Sequence, residues 1–448
     1  MAFSAGLSLQ KRFCEQDAKV GDLRVELDAL RHCLLGSNVL KAESFESKLH
    51  ALRFADARRR HPLGSTSADA RCVLGAPELA LHVAHAAGPH AASCLQAVAR
   101  SLVDVRFRVE ERCPESLYVC GGFDGTRNLR SAERLDLKEQ CWRQLPPMKA
   151  ARGRAAAGVL GGKLCVAGGC DGPTILASAE CFDPVAGTWE ALPPLLARRA
   201  RAVAAPLLDR LYVCGGFDDI HFLRSAERLG SKDGKYTWEA LPAMAFRREG
   251  AAATVCAERL YMCGGFSGQE YLRSVECFDP SSEAWQKAPP LSEPRRGAVA
   301  AVVRGSIYLC GGHDGLRVLP SVECLKPDAG AWESLPQMAV RRRHAAIATV
   351  AGQIYVFGGT DGEKCLASVE RLDTRAGSAW EQLPMMSEQR RGATALVAGG
   401  HIFVLGGVDE ANRCHHEVEC YSPMLKGWCF APRLQRQRAT PTAVVMRA

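Results

Sequence analysis

From residue 114 onward, short apolar runs alternate with polar segments rich in glycine, proline and aspartate. One representative stretch has a small-residue run at 201–205, a turn at Asp209 and Arg210, and apolar runs at 211–214 and 223–229. A fourth run is centred on Trp238 and followed by Leu-Pro. Runs of this length with no helical period are typical of antiparallel strands. The pattern therefore predicts units of four short strands.

This four-strand pattern occurs seven times. Each second run ends in a Gly-Gly pair, and successive pairs begin 47 to 49 residues apart. A glutamate follows each pair by 12 or 13 residues, a tryptophan by 21 to 23, and an arginine stands ten residues after each tryptophan. The pairs begin at Gly121, Gly168, Gly215, Gly264, Gly311, Gly358 and Gly406; the glutamates are Glu133, Glu180, Glu227, Glu276, Glu323, Glu370 and Glu419; the tryptophans are Trp142, Trp189, Trp238, Trp285, Trp332, Trp380 and Trp428; the arginines are Arg152, Arg199, Arg248, Arg295, Arg342, Arg390 and Arg438. Such phasing indicates a repeat architecture.

Radial repetition explains the recurring residues, because each sheet then buries its faces against its neighbours. The Gly-Gly pair suits a place where an inner strand closely approaches another backbone and needs freedom in φ. A tryptophan has about 150–250 Å² to bury, so we expect it as a buried wedge between units. We expect the repeated glutamates to pair with backbone or arginine groups between units.

The units resemble the kelch repeat in their apolar run, Gly-Gly, aspartate-containing loop, Leu-x-Ser-Val-Glu, Trp and Leu-Pro-x-Met. The resemblance covers residues 114–446 and implies an all-β kelch β-propeller over residues 114–448. The count of seven units predicts seven blades, whereas six is the commoner number in kelch proteins that resemble ubiquitin-ligase adaptors. The first unit lacks a small-residue strand, and an unpaired strand of that kind ends the chain at 438–446. We therefore expect the C-terminal strand to complete blade 1 and close the ring, as is common in kelch propellers.

The first hundred residues have a different pattern. Apolar residues spaced by three and four predict an amphipathic helix, with a second helix after it, in a helical segment at 1–54 that packs on itself or on the propeller. The first helix contains Val20, Leu23, Leu27, Leu30 and Leu34, and the second Phe45, Leu49 and Leu52. Residues 55–70 are predicted to be a linker.

Residues 71–104 are predicted to form two small helices. The segment has the Pro-Glu-Leu start of an F-box, at Pro77, Glu78 and Leu79, and resembles that motif. The tryptophan that usually stands near the end of an F-box is missing. The resemblance implies Skp and cullin ligase components as partners, and the alternative is a helical cap on the propeller. The segment is too short for the BTB domain that precedes many kelch propellers.

Composition narrows the possible partners. The net charge of +8 over 448 residues is below that of a typical nucleic-acid binder, and no apolar run approaches the ~18 residues needed to cross a bilayer. The N-terminus has no signal-peptide pattern, which predicts a cytoplasmic location, with a nuclear one possible. Twenty cysteines without a C-x-x-C pair are expected to pack as small apolar residues rather than bind zinc.

Two sets of residues are candidates for partner binding. Arginines beside the phased ones could form a basic rim for an acidic peptide, and the phased arginines could either join it or brace the loops. Loops after the Gly-Gly pairs carry possible aromatic anchors, or these rings pack beneath their own loops. The candidates are Arg198, Arg247, Arg296, Arg343 and Arg391 with Phe123, Phe217, Phe266 and His313.

No catalytic arrangement stands out, because a glutamate repeated seven times by symmetry does not form a distinct acid–base pair. The Tyr, Cys and His set of kelch-like copper oxidases is not recognisable either. We predict a non-enzymatic protein-interaction scaffold without cofactor or metal. The resemblance favours a substrate-recognition subunit of a cullin-type ubiquitin ligase, and actin binding is the alternative.

Overall fold

The computed structural model describes residues 115–447, apart from 233, 328 and 376–378. These residues form seven four-stranded antiparallel sheets and one two-stranded ribbon. The prediction of an all-β propeller with seven blades is confirmed. The predicted helices at 1–54, the linker and the F-box-like segment at 71–104 lie outside the described residues.

Blade 1 is completed by the C-terminal strand. It comprises β1 (Glu115–Cys120), β2 (Ala132–Asp136), β3 (Cys141–Leu145) and β30 (Thr442–Arg447), in the order β3-β2-β1-β30. The last strand pairs antiparallel with β1, and Leu117 lies opposite Val445. The predicted closure of the ring is therefore confirmed.

Blades 2 to 7 share one order, with the first strand of each innermost. Blade 2 comprises β4 (Ala156–Leu160), β5 (Lys163–Ala167), β8 (Ala179–Asp183) and β9 (Thr188–Leu192), with the ribbon β6 (Cys170–Asp171) and β7 (Thr174–Ile175) in a loop. Blade 3 comprises β10 (Val203–Leu207), β11 (Arg210–Cys214), β12 (Ala226–Lys232) and β13 (Lys235–Ala240), and blade 4 comprises β14 (Ala252–Cys256), β15 (Arg259–Cys263), β16 (Val275–Asp279) and β17 (Ala284–Ala288). Blade 5 comprises β18 (Val299–Val303), β19 (Ser306–Cys310), β20 (Val322–Leu325) and β21 (Trp332–Leu335). Blade 6 comprises β22 (Ala346–Val350), β23 (Gln353–Phe357), β24 (Val369–Asp373) and β25 (Glu381–Leu383), and blade 7 comprises β26 (Thr394–Ala398), β27 (His401–Leu405), β28 (Val418–Ser422) and β29 (Gly427–Cys429).

The hydrophobic core is divided among the blade interfaces. Seven apolar clusters each join residues of two neighbouring blades. Cys120, Cys214, Cys263 and Cys310 end second strands inside these clusters, and burial raises the pKa of each thiol to about 12. At neutral pH they are protonated, weakly polar packing residues, as the repeat pattern predicted.

The tryptophans connect neighbouring blades at the outer edge of the ring. The indole Nε1 of each donates a hydrogen bond of 2.8–3.0 Å to a proline carbonyl of the preceding blade. Trp142, Trp238 and Trp428 are buried, whereas the other four tryptophans keep part of the ring exposed. The predicted wedge between blades is therefore buried in three blades and partly exposed in four, because the fourth strand borders solvent.

The Gly-Gly pairs allow the chain that links two blades to approach the sheet closely. The first glycine of every pair has φ between 57° and 65°. At Gly215 a Cβ would stand 2.5 Å from the carbonyl oxygen of Arg248. The second glycine of each pair donates its N–H to the same phased-arginine carbonyl, at 2.7–2.9 Å. A side chain at the first glycine would push this carbonyl away.

The phased arginines fasten each blade to the next, and their side chains are only 0–2% exposed. The main-chain carbonyl of each phased arginine accepts the hydrogen bond from the Gly-Gly pair of one blade. Its guanidinium pairs with a glutamate of the following blade. The Nη2–Oε1 distances of 2.6–3.0 Å join Arg152–Glu180, Arg199–Glu227, Arg248–Glu276, Arg295–Glu323, Arg342–Glu370, Arg390–Glu419 and Arg438–Glu133. The phased arginines therefore brace neighbouring blades. They do not line an exposed basic rim, which was the other alternative.

Candidate partner-binding face

The two predicted sets of binding residues meet on one face of the propeller. The residue after each phased arginine pairs through its backbone with the residue after a Gly-Gly pair, as in Arg296 with His313 and Arg343 with Thr360. These pairs extend the first and second strands of each blade beyond the sheet. The blade-linking segments and the Gly-Gly loops therefore form a continuous surface.

Backbone hydrogen bonds link neighbouring blades along part of the mouth of the central channel on this face. The residue two positions after each phased arginine is left-handed in all seven blades, with φ between 42° and 67°. His344 donates its N–H to the Gly297 carbonyl at 2.9 Å and accepts from the Gly392 N–H at 2.9 Å, which links blades 5, 6 and 7. Glycine fits this conformation best, yet Arg154, Arg201 and His344 adopt it with side chains.

Charged residues cluster at these two positions, and we call this cluster the basic collar. It consists of Arg154, Arg201, Arg296, Arg343 and Arg391, together with His344 and Glu249. Five guanidinium groups and a single carboxylate leave the channel mouth strongly positive. Such a concave site of one sign concentrates anions near it.

Glu249 divides the collar. Its side chain is only 5% exposed, and its two carboxylate oxygens contact Arg201 at 2.9 Å and Arg296 at 2.7 Å. Arg296 also lies over the Phe266 ring, with its guanidinium carbon 5.2 Å from the ring centre. Two of the five arginines therefore share one carboxylate, which offsets one of their two charges.

Arg343 and Arg391 have no carboxylate partner among the described residues. The Arg343 guanidinium makes no hydrogen bond or ion pair with any described residue, and its Nε is buried. Arg391 bonds the Asn412 side-chain oxygen, which is a neutral acceptor. A guanidinium that is partly removed from water without a partner is unfavourable, so this pair is the best anion-binding position of the collar.

The positive charge also affects His344. Loss of hydration at this concave position, followed by repulsion from Arg343 and Arg296, lowers the pKa of His344 to about 4. At neutral pH the imidazole is uncharged, and the net charge of the collar comes from arginine. His313 has a lowered pKa for the same two reasons.

Aromatic rings on neighbouring blades form a continuous row, which we call the aromatic arc. It runs from Phe217 through Phe222, Phe266 and Tyr271 to His313, with successive ring centres 5.0–5.6 Å apart. All five residues are partly exposed. The arc covers the loops of blades 3, 4 and 5, and its His313 end adjoins the basic collar at Arg296.

The loops that carry the arc and the collar are held in fixed shapes by their own side chains. In blades 1, 3, 5 and 6 an aspartate after the Gly-Gly pair accepts hydrogen bonds from the N–H groups two and three residues later, at 2.6–2.9 Å. These are Asp124, Asp218, Asp314 and Asp361, and Ser267 takes the same role in blade 4. The face is therefore largely preformed.

Family models match the chain over most of this ring. The model described as the Kelch motif matches residues 113–149, 151–196, 247–292, 294–339, 341–387 and 389–435, which together exceed half of the chain. The chain belongs to the kelch-repeat family. The segment between the second and third matches forms blade 3, which has the same four strands and the same phased residues as the other kelch blades.

The kelch propeller is also similar to a solved structure titled "Structure of YjhT". The two share 14% sequence identity with a TM-score of 0.52, over 64% of this chain and 99% of that one. At this identity the similarity concerns the fold alone. No curated protein matches the sequence.

The structure separates the arginines that the sequence grouped together. Arg296, Arg343 and Arg391 follow a phased arginine and belong to the collar, whereas Arg198 and Arg247 precede one and are exposed outside it. The five arginines therefore do not all belong to the collar, and the role of Arg198 and Arg247 in partner binding stays a prediction.

The aromatic candidates divide in a similar way. Phe217, Phe266 and His313 lie in the arc, while Phe123 stands apart in blade 1, 37% exposed. Sequence reasoning missed six residues of this face, and they were recognisable only from their register relative to the phased arginines and glycines. They are Arg154, Arg201, Phe222, Glu249, Tyr271 and His344.

The part of the chain that the structure describes contains no helix long and apolar enough to cross a bilayer. In those same residues, no group of three or more His, Cys, Asp or Glu side chains is arranged to hold a metal ion.

Proposed function

We propose that this kelch propeller is a scaffold that binds an acidic segment of a protein partner over the basic collar. The carrying observation is that Arg343 and Arg391, side by side on adjacent blades, lack an acidic partner within the fold. A partner carboxylate would supply charge-assisted hydrogen bonds to a guanidinium that is already partly dehydrated. Kelch propellers serve in general as protein-interaction folds, and this proposal assigns the interacting face.

The rigidity of the frame supports binding. Each collar arginine lies one or two residues after a phased arginine that is buried and paired across a blade interface, and backbone hydrogen bonds link the collar segments of blades 2 and 3 and those of blades 4 to 7. Little conformational entropy is then lost when a partner docks. Arg343 and Arg391 offer electrostatic attraction to an acidic segment.

Charge reversal should distinguish this face from the opposite one. A library of random dodecamer peptides, displayed on phage and selected on the full chain, should yield acidic peptides. Arg343→Glu with Arg391→Glu should weaken the best synthetic peptide by about a hundredfold or more, because two attractions become repulsions. Fluorescence anisotropy of the labelled peptide at several salt concentrations measures the loss.

The matched control changes the same charge at the other end of the channel. Arg304 and Arg375 are exposed there, beside β18 and β24. Arg304→Glu with Arg375→Glu should leave peptide affinity within about twofold, since screening over ~8 Å separates the two faces. Selection of peptides without acidic residues, or equal loss in both double variants, would contradict the proposal.

A finer role follows from the sequence of residues 71–104. We propose that the propeller presents its partner to a cullin-type ubiquitin ligase, supported by the F-box resemblance of that segment. Co-purification of a Skp-family adaptor with the full chain, and its loss when 71–104 are deleted, tests this role. Actin binding, the alternative from the sequence, stays a prediction.

A further inference from the structure

We infer that the partner segment combines an acidic side chain, bound by Arg343 and Arg391, with an aromatic or large aliphatic side chain, bound over the aromatic arc. We infer further that Glu249 sets this requirement. The inference rests on the proposed function and deepens it, since a purely acidic segment would satisfy the proposed function alone.

Glu249 makes one side of the channel mouth unsuitable for a second carboxylate. It already engages Arg201 and Arg296, which belong to blades 3 and 5, from its own position on blade 4. A partner carboxylate placed there would meet Glu249 at close range. The remaining guanidiniums, which have no carboxylate partner among the described residues, are those of Arg343 on blade 6, Arg391 on blade 7 and Arg154 on blade 2.

The choice among these three follows from their surroundings. Arg154 is exposed and has no second free arginine on a neighbouring blade, because its neighbour Arg201 is engaged by Glu249. Arg343 and Arg391 lie on adjacent blades, and the buried Nε of Arg343 lacks an acceptor. A carboxylate with two oxygens can bond both guanidiniums, so blades 6 and 7 are the acidic half of the binding face.

Exposed apolar side chains also flank the arc on blades 3 to 5, where Glu249 already engages two arginines. Beside the arc, Ile220 is 68% exposed on the loop of blade 3 and Leu316 is 95% exposed on the loop of blade 5. Leu196 and Phe246, in the segments that enter blades 3 and 4, are 61% and 39% exposed. Exposed apolar surface beside the arc is typical of an interaction site.

His313 joins the two halves. Its ring ends the aromatic arc beside Tyr271, at 5.4 Å, and its backbone pairs with Arg296 of the collar. The His313 Nδ1 accepts a hydrogen bond from the Gly315 N–H at 3.0 Å, which assigns the remaining proton of the neutral ring to Nε2. A partner backbone carbonyl passing from the acidic to the apolar half therefore meets a donor.

The test uses the best peptide from the dodecamer selection and three synthetic derivatives of it. One replaces its acidic residue with the matching amide, one replaces its aromatic or aliphatic residue with alanine, and one carries both changes. Each is measured against the full-length wild type, Arg343→Gln, Phe222→Leu and Glu249→Gln. Circular dichroism and thermal melting check that every variant is folded.

In the wild type, each single peptide change should weaken binding about tenfold or more. The acid-to-amide change should lose most of its effect in Arg343→Gln, and the alanine change in Phe222→Leu. Glu249→Gln frees Arg201 and Arg296, so it should raise the affinity of the alanine-substituted, purely acidic peptide about tenfold. The affinity ratio between the selected peptide and its alanine-substituted derivative should therefore be smaller in Glu249→Gln than in the wild type.

Other outcomes overturn different parts of the account. If the selected peptides are purely acidic, depend on Arg343 and ignore Phe222→Leu, the proposed function stands and this inference is wrong. If they lack acidic residues, both are wrong. An unchanged preference in Glu249→Gln overturns the role of Glu249, and should that variant fail to fold, the Arg343→Gln and Phe222→Leu measurements still decide the two-part segment.

Discussion

Replacing Arg248 with alanine is expected to lower the free energy of unfolding by about 3–5 kcal/mol. Its guanidinium is fully buried and donates to Glu276, to the Gly264 and Ser274 carbonyls and to the Ser274 hydroxyl, at 2.6–3.2 Å. Removing it leaves a buried carboxylate and two carbonyls without this partner. Guanidinium chloride unfolding followed by circular dichroism measures the loss.

The chain provides a matched control one residue away. Arg247 is exposed, so Arg247→Ala should change the free energy of unfolding by less than about 0.5 kcal/mol. Arg248→Met with Glu276→Leu removes both charges and should be milder than Arg248→Ala, since no buried charge is stranded. Equal unfolding midpoints for Arg248→Ala and Arg247→Ala would show that the phased arginines do not brace the ring.

Ending the chain at Gln437 should produce an insoluble protein or one with a far lower melting temperature. The truncation removes β30, which pairs along the whole of β1, and Arg438, which bonds Glu133 at 2.6 Å. Blade 1 would then present an open edge of unpaired backbone groups at the centre of the ring. Soluble yield and differential scanning calorimetry report the effect.

A chain ending at Arg447 is the control for this truncation, because it keeps all of β30. It should melt within a few degrees of the full chain, about the shift that 1 kcal/mol produces in a domain of this size. A chain ending at Gln437 that stays soluble and melts like this control would contradict closure by the C-terminal strand. With this closure, blade 1 cannot complete its sheet until the C-terminal strand is available.

The architecture could be predicted from sequence because its signals repeat. Seven phased sets of residues predict seven blades. The first unit lacks a strand and the C-terminal segment supplies an extra one, which predicts that the C-terminal strand closes the ring. Radial position could not be predicted in the same way. A tryptophan and an arginine recur equally often, yet the arginines are the fully buried residues, because only their forks can satisfy a glutamate and carbonyls of the next blade.

The candidate site was less predictable because it depends on residues that do not repeat. Arg198 and Arg296 both lie beside a phased arginine, but one is outside the collar and the other within it, since the chain turns at the buried residue between them. Glu249 places a negative charge at a collar position that is arginine in blades 5, 6 and 7. Only the folded ring shows that its carboxylate contacts both Arg201 and Arg296, whereas Arg343 has no partner among the described residues.

Site-specific photocrosslinking tests most directly that partners bind on the face that carries the collar and the arc. Leu316 and Val185 are equally exposed, at 95% and 96%, but Leu316 lies beside His313 and Val185 lies in the turn between β8 and β9 on the opposite face. Benzoylphenylalanine at position 316 should crosslink the selected acidic peptide, and at position 185 it should not. Crosslinking from position 185 with none from position 316 would contradict the account.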